Sequence, residues 1–190
     1  TGLGHDHLDY HGSLDAYGAA KQRLFRHPGL GVAVLNMDDE YSAAIRATVA
    51  PGTRVLGFSL SGRAPGAEVR AKEIACSLAG TRLSVSTPDG GFDLESPLLG
   101  EFNAQNLLAA LAALMALGID ARSAADALSS ARPVRGRMEL VRGGAGTPLV
   151  CVDYAHSPDS LERVLRALRA TGCRKLVCVF GCGGDRDTSK

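Results

Sequence analysis

The sequence of 190 residues has no Trp, few aromatic residues (5%) and almost no net charge. Its 21 Lys and Arg side chains are balanced by 20 Asp and Glu side chains, which gives a formal net charge of +1. A chain with so little net charge lacks the broad positive potential that holds nucleic acids or anionic membranes. The composition therefore argues against a nucleic-acid-binding or membrane-surface protein.

Long hydrophobic runs are also absent. The longest, residues 107–117, ends at Gly118 and is well short of the roughly 20 apolar residues that a membrane-spanning helix needs. Residues 1–12 are polar where a signal peptide would be apolar. Together these observations predict a cytoplasmic protein that spans no membrane.

The cysteines do not form a recognisable framework. There are five, an odd number, and none of them forms a C-x-x-C pair. A disulfide scaffold and a zinc ribbon are therefore both disfavoured, and we expect reduced, mostly buried thiols.

Helix and strand signals alternate along the first part of the chain, which predicts an α/β fold with a mostly parallel sheet. After residue 68 the pattern changes to short alternating stretches, which are typical of a small antiparallel meander. A Leu- and Ala-rich segment that is apolar nearly all round then predicts a buried helix with Asn103 as its N-cap. The predicted elements are a helix at 13–26 with Ser13 as N-cap, strands at 31–35 and 54–58 around a helix at 38–48, the meander at 68–99, and helices at 103–117 and 120–130.

A basic segment punctuated by Pro and Gly, residues 132–137, predicts a domain boundary. We expect residues 1–133 to form part of one α/β domain, and residues 134–190 to begin a second, Rossmann-like α/β domain. The elements predicted for the second domain are strands at 138–141 and 149–154, a helix at 158–170 and a strand at 175–180.

Residues 5–11 place three His and two Asp side chains immediately before a helix. Imidazole and carboxylate groups bind divalent metals and a helix start favours anions, so a metal and phosphate site is one interpretation. Helix capping by a solvated loop is the other.

Lys21 lies on the apolar stripe of the first helix, because steps of 3, 4 and 7 residues from Leu14 lead to Tyr17, Gly18 and Lys21. A lysine stem packed along the surface with its amine in water would explain this position. Alternatively, burial favours the neutral amine, which can take up carbon dioxide and become a carbamate, an anionic metal ligand.

Two amides, Asn103 and Asn106, lie in the first turn of the Leu- and Ala-rich helix. With apolar neighbours on all sides, Asn106 needs hydrogen-bond partners, which either a purine edge or the backbone could supply.

A strand also runs into glycines at residues 181–184, as in phosphate-binding turns. Arg186 stands where the dinucleotide fingerprint requires Gly, and the chain has no G-x-x-x-x-G-K-[ST] loop.

With these residues in view, the sequence resembles the Mur ligase family. The matching stretches are HDHLDYHG at 5–12, YGAAK at 17–21, GEFNAQNLLAA at 100–110, GRME at 136–139, VDYAHSPDSLE at 152–162 and VFGCGGDRD at 179–187. The resemblance implies an ATP-dependent amide ligase of peptidoglycan precursor synthesis. Such an enzyme adds a diamino acid, either meso-diaminopimelate or L-lysine, to UDP-N-acetylmuramoyl-L-alanyl-D-glutamate through an acyl phosphate, with Mg²⁺ shielding the phosphates.

The resemblance also implies roles for seven residues. They are His7 at a magnesium ion, Lys21 as the carbamylated catalytic lysine and metal ligand, Asn103 and Asn106 beside adenine, Arg137 at the ATP phosphates, Asp153 at the ribose, and Arg186 at a carboxylate of the incoming amino acid.

The family's phosphate loop, catalytic glutamate and uridine-binding domain find no match in this sequence. We therefore expect an internal fragment that is inactive alone. Two alternatives stay open at this stage. One is a metal-dependent hydrolase that uses His5, His7 and a carbamylated Lys21, and the other is a non-catalytic nucleotide-binding module.

Overall fold

The computed structural model describes residues 8–181, with side chains from Tyr10 onward. It is an α/β structure, as predicted. The elements in chain order are α1 (Leu8–His11), α2 (Leu14–Phe25), β1 (Val32–Asn36), α3 (Tyr41–Arg46), β2 (Arg54–Ser59), β3 (Ala67–Ser77), β4 (Gly80–Thr87), β5 (Gly90–Ser96), α4 (Glu101–Ala116), α5 (Ala121–Ser129), β6 (Glu139–Val141), β7 (Val150–Val152) and α6 (Pro158–Ala170).

One five-stranded sheet has the order β1-β2-β3-β4-β5. Strands β1, β2 and β3 pair in parallel, and β3, β4 and β5 continue as an antiparallel meander. Because β1 and β2 are parallel, their carboxyl ends, at Asn36 and Ser59, meet at the same edge of the sheet. This arrangement confirms the predicted change from helix-and-strand alternation to a meander.

Helices α4 and α5 pack together against this sheet and enclose the core. Leu107, Leu108 and Leu111 of α4 are almost completely buried, together with Leu56 and Leu83 of the strands. Burial of such side chains is worth about 1.5 to 3 kcal/mol each. The Leu- and Ala-rich segment is thus a helix, as predicted, but only its sheet side is buried, and the backbone turns left-handed after it at Gly118 (φ 85°).

Local signals set most helix starts. The Ser13 side chain accepts from the Ala16 N–H at the start of α2, as predicted, and the Asp120 side chain accepts from the Ser123 N–H before α5. Helix α6 begins with a capping box in which Ser157 and Ser160 each bond the other's backbone N–H. Each such cap satisfies a helix N–H that has no partner within its own helix.

Helix α3 is shorter than the predicted 38–48. Asp39 Oδ1 accepts from the Tyr41 N–H at 2.8 Å, and the Asp38 carboxylate bonds groups at the end of β2. These bonds hold the two residues in a turn, so the helix begins only at Tyr41.

Strands β6 and β7 form a separate antiparallel pair, with Leu140 opposite Cys151. The predicted strand at 175–180 is wrong: that segment has no regular structure, and Val179 is 94% exposed. An apolar run becomes a strand only when a neighbouring strand pairs its N–H and C=O groups, and none within residues 8–181 does so.

No helix within residues 8–181 combines the length and the apolar character needed to cross a membrane.

Candidate functional site

A cleft of about 590 Å³ brings together four of the predicted site residues. Asn103 and Asn106 come from the start of α4, Arg137 from the loop before β6, and Asp153 from the loop after β7. Other residues that line the cleft are Phe102, Arg132, Tyr154, His156, Ser157, Ser160 and Arg163. The four predicted residues, which are separated by up to 50 positions in the sequence, therefore face a common space.

The two asparagines are linked to each other. Asn103 Nδ2 donates to the Leu99 carbonyl at 2.8 Å, and Asn106 Nδ2 donates to Asn103 Oδ1 at 3.3 Å. The first amide is thereby fixed by the backbone and in turn orients the second. Contrary to expectation, Asn106 is exposed rather than surrounded by apolar side chains, because it lies on the side of α4 that faces away from the sheet. Its amide edge is therefore available to a ligand in the cleft.

The prediction that Asn103 caps α4 is also wrong. The helix begins at Glu101, and its N-cap is Gly100, whose backbone (φ 89°, ψ 156°) suits only glycine. A Cβ at Gly100 would lie 3.1 Å from Ala167 Cβ and 3.1 Å from Phe102 Cε1. The glycine thus lets α6 approach the start of α4, where the asparagine pair stands.

The Asp153 carboxylate is held by backbone groups. Its Oδ2 accepts from the Met138 N–H at 2.9 Å and its Oδ1 from the Ala155 N–H at 2.7 Å. Met138, buried and with a positive φ of 48°, is the residue that follows Arg137. Each carboxylate oxygen keeps a second lone pair, so Asp153 can accept hydrogen bonds from the hydroxyl groups of a ligand.

Arg137 is exposed, and its guanidinium carbon lies 4.6 Å from the centre of the Tyr154 ring. The His156 ring also contacts the Tyr154 ring in an edge geometry, with the two centroids 5.4 Å apart. Cation–π contact of this kind orients a guanidinium without neutralising it.

Sequence reasoning did not single out Tyr154, His156, Arg132 and Arg163. Tyr154 and His156 could have been found, because they closely follow Asp153 in the stretch at 152–162 that resembles the family. Three guanidinium groups and one carboxylate line the cleft, so its charge favours an anion such as a phosphate.

Lys21 lies in a different place. It is half-buried on the predicted face of α2, and its Nζ stands 4.8 Å from the centre of the Tyr17 ring. It lines a separate cavity of about 220 Å³ whose other residues include Asn36, Asp39, Tyr41 and Ser42. The cavity lies beside the carboxyl end of β1, the edge at which open α/β sheets bind ligands.

Sequence reasoning also missed Asp38, which joins the ends of β1 and β2. Its carboxylate accepts from the Ser59 and Ser61 hydroxyls at 2.8 and 2.6 Å and from the Leu60 and Ser61 N–H groups at 2.6 and 3.1 Å. Desolvation raises the pKa of this carboxyl, but the hydrogen bonds outweigh it and hold the pKa below its ordinary value. The signal in the sequence was an acidic residue two positions after the end of a buried strand.

Four free thiols lie within the described residues. We had expected most of them to be buried, but three are half-buried and one is exposed. Cys178 is exposed, because its segment pairs with no strand within residues 8–181. Burial, and next to it the charge of Asp153, raise the pKa of the half-buried Cys151 thiol. Its Sγ lies 3.7 Å from Met138 Sδ, so this thiol packs beneath the cleft.

The predicted residues His7 and Arg186 lie outside the described residues, as do residues 5–7 of the His-rich segment and the glycines after Gly181. Within residues 8–181, no group of three His, Cys, Asp or Glu side chains could hold a metal ion.

Comparison with known proteins finds Mur ligases that are similar to this chain over its whole length. Residues 1–114 match the family model of the Mur ligase middle domain, and residues 136–190 match that of the Mur ligase glutamate ligase domain. Two similar curated proteins are the UDP-N-acetylmuramoyl-L-alanyl-D-glutamate--2,6-diaminopimelate ligases of Xanthomonas campestris pv. campestris (strain 8004) and Chromobacterium violaceum. They are 44% identical over 190 residues and 47% identical over 194 residues. The chain is covered completely in both cases but spans only 38% of the length of each relative.

Solved structures are similar as well. A UDP-N-acetylmuramoyl-L-alanyl-D-glutamate--2,6-diaminopimelate ligase superposes with a TM-score of 0.78 at 40% identity, over 98% of this chain and 38% of that one. A MurF from Acinetobacter baumannii superposes with a TM-score of 0.78 at 28% identity, over 88% of this chain and 36% of the other.

Proposed function

Because this chain belongs to the Mur ligase family, we propose that it forms part of an ATP-dependent amide ligase that adds a diamino acid to UDP-N-acetylmuramoyl-L-alanyl-D-glutamate. The names of its relatives favour 2,6-diaminopimelate as the added residue, a choice that the sequence left open against L-lysine. Such a ligase would work in the cytoplasm, where the uridine nucleotide precursor and ATP are made.

The observation that carries this proposal is the cleft that holds Asn103, Asn106, Arg137 and Asp153 together. Its donor set suits a nucleoside triphosphate. The linked amides can pair with a purine edge, the Asp153 carboxylate can accept from ribose hydroxyls, and Arg137 can bond phosphate oxygens. When bound, ATP would supply the phosphoryl group that activates the D-glutamate side-chain carboxylate for attack by the amine.

Lys21, in its carbamylated form, is proposed as a ligand of Mg²⁺. Its neutral amine would attack the carbon of CO₂, forming an N–C bond while one C=O π pair moves to oxygen and the nitrogen releases a proton to water. The resulting carbamate would give Mg²⁺ the oxygen ligand that this ion prefers. His7 is proposed as a second group near magnesium, and Arg186 as the partner of a carboxylate of the incoming amino acid.

We also propose that the domain boundary lies at residues 133 and 134. The separate pairing of β6 with β7 supports this division, and so does the gap between the two family-model matches, at residues 115–135.

The test is kinetic and uses the complete ligase that carries this chain. Asp153→Ala and Asn106→Ala should each raise the KM for ATP at least tenfold and leave the KM for the diamino acid within twofold. This follows because each removes a proposed hydrogen bond to the nucleotide and none to the diamino acid. Asp153→Ala also removes the acceptor of the Met138 and Ala155 N–H groups, so the midpoint of thermal unfolding is measured alongside the kinetics. Asp159→Ala, an exposed residue next to the cleft but not lining it, is the control. An unchanged KM for ATP in both variants would refute the assignment of the cleft.

A further inference from the structure

Three residues before Lys21 on α2, Gly18 makes an unusually close contact with another helix. Among the residues of α2, Gly18 alone is buried, although it lies in the middle of a helix where glycine is unfavourable. A Cβ at this position would stand 2.2 Å from Tyr41 Oη and 2.5 Å from Tyr41 Cζ. The phenol ring of Tyr41 therefore occupies the space that any side chain at residue 18 would need.

The phenol group also makes a directed bond. Gln22 Nε2 donates to Tyr41 Oη at 2.9 Å, and Gln22 Oε1 accepts from Arg26 Nη2 at 2.9 Å. Tyr41 thus contacts α2 one turn apart, at Gly18 through its hydroxyl and the adjoining ring carbons, and at Gln22 through its hydroxyl. Lys21 lies between these two contacts along the chain.

The other end of this connection is the sheet. Tyr41 begins α3, and the neighbouring Ser42 hydroxyl donates to the carbonyl of Asn36, the last residue of β1. Tyr41 and Lys21 line the same cavity of about 220 Å³. Helix α2 is therefore fixed to the carboxyl end of β1 through Tyr41.

We propose that Tyr41, seated on Gly18, is a positioning residue that determines where the Lys21 amine stands relative to the carboxyl edge of β1. This inference rests on the proposed role of Lys21 as a carbamylated residue. It also explains why glycine occupies position 18: alanine would favour the helix but would push Tyr41 and α2 apart.

The experiment compares variants of the complete ligase in three measurements. These are kcat, the midpoint of thermal unfolding, and the carbon-13 NMR signal of the carbamate after equilibration with ¹³C-bicarbonate. Gly18→Ala and Tyr41→Ala should each lower kcat at least tenfold and reduce the carbamate signal. Tyr41→Phe keeps the ring carbons at Gly18 but loses the hydroxyl, with its contact at Gly18 and its bond from Gln22, so it should retain at least a third of kcat.

Ala20→Gly is the matched control. It removes one methyl group from an exposed position beside Lys21 and weakens the same helix through propensity alone. It should keep the carbamate signal and at least half of kcat. If Ala20→Gly and Tyr41→Ala lower the unfolding midpoint and kcat in parallel, Tyr41 is merely structural and the inference is wrong.

Two results separate this inference from the proposed function. If Lys21→Ala remains active, or the parent ligase shows no carbamate signal, the role of Lys21 is wrong and the inference falls with it. If Lys21→Ala is inactive and a small added carboxylate restores activity, while Tyr41→Ala equals the parent in kcat and carbamate signal, only the inference is overturned. Should Gly18→Ala not fold, the comparison of Tyr41→Ala with Tyr41→Phe decides.

Discussion

The five-stranded unit and the segment from β6 to α6 differ in how their structure is held. Almost all buried apolar residues belong to the five-stranded unit and the helices packed on it. The single exception is Met138, directly before β6. Helix α6 has a clear apolar stripe but no buried residue, whereas α4 has five. An amphipathic pattern is therefore enough to predict a helix, but only a neighbouring surface turns that helix into a source of stability.

The largest expected effect tests this difference directly. Leu108→Ala removes a completely buried side chain of α4 and should lower the free energy of unfolding by about 3 to 5 kcal/mol, because it leaves a cavity in the core. Leu165→Ala, in the half-buried stripe of α6, should cost about 1 kcal/mol. Urea denaturation of this polypeptide measures both. Leu117→Ala, at a position that is 79% exposed, is the control. Equal losses for Leu108 and Leu165 would show that the two regions are stabilised alike.

A smaller effect concerns Asp38, which fastens the first region at its sheet edge. Asp38→Asn should cost about 1 to 2 kcal/mol at neutral pH, allowing for screening of an exposed carboxylate. The pKa of Asp38 is lower in the folded protein than its ordinary value of 3.8, so its contribution is complete above pH 3.8 and is lost as the pH falls through the folded-state value. The measurement is the difference in unfolding free energy between parent and variant as a function of pH.

Asp126→Asn, an exposed substitution on α5, is the control. Its free energy of unfolding should differ from that of the parent by less than about 0.5 kcal/mol at every pH. A gap between Asp38→Asn and the parent that persisted well below the folded-state pKa would contradict the assignment to the charged form.

A still smaller effect is expected at the capping box of α6, in the region without a buried core. Ser157→Ala removes the capping box of α6 and should weaken that helix by about 1 kcal/mol. Because α6 is held by local bonds, amide exchange in 158–170 should accelerate while exchange in α4 stays unchanged. Ser13→Ala at the cap of α2 is the reciprocal control, since it should loosen α2 and leave α6 as it is. Equal acceleration in α4 and α6 would mean that the two regions unfold together.

The sequence was a good guide wherever the signal was local. The Ser13 cap, the end of α4 before Gly118 and the change to a meander after β2 all follow from residue types at fixed spacings. It failed at α3 and at residues 175–180, where hydrogen bonds to distant groups, or their absence, decide the outcome. Asp38 reaches across 22 positions to the Leu60 N–H, and no spacing rule contains such a bond.

The candidate site shows the same division. The motifs pointed to Asn103, Asn106, Arg137 and Asp153 individually, and to the inward face for Lys21. They did not indicate that Asn106 is exposed, that Tyr154 lies beneath Arg137, or that Tyr41 fills the space above Gly18.

Motifs and periodicities are properties of neighbouring residues, so they were enough to identify the family, the order of most elements and the candidate site residues. These signals do not say which side chains come together: the fold places the asparagine pair, Arg137 and Asp153 in one cleft and Lys21 in another cavity. The start of α4 meets the loop after β7 because Gly100 lets α6 come close, and Lys21 lines a different cavity because α2 rests on Tyr41. Both arrangements depend on the volume of residues that are far apart in the chain, since two atoms cannot occupy the same space in a close-packed protein.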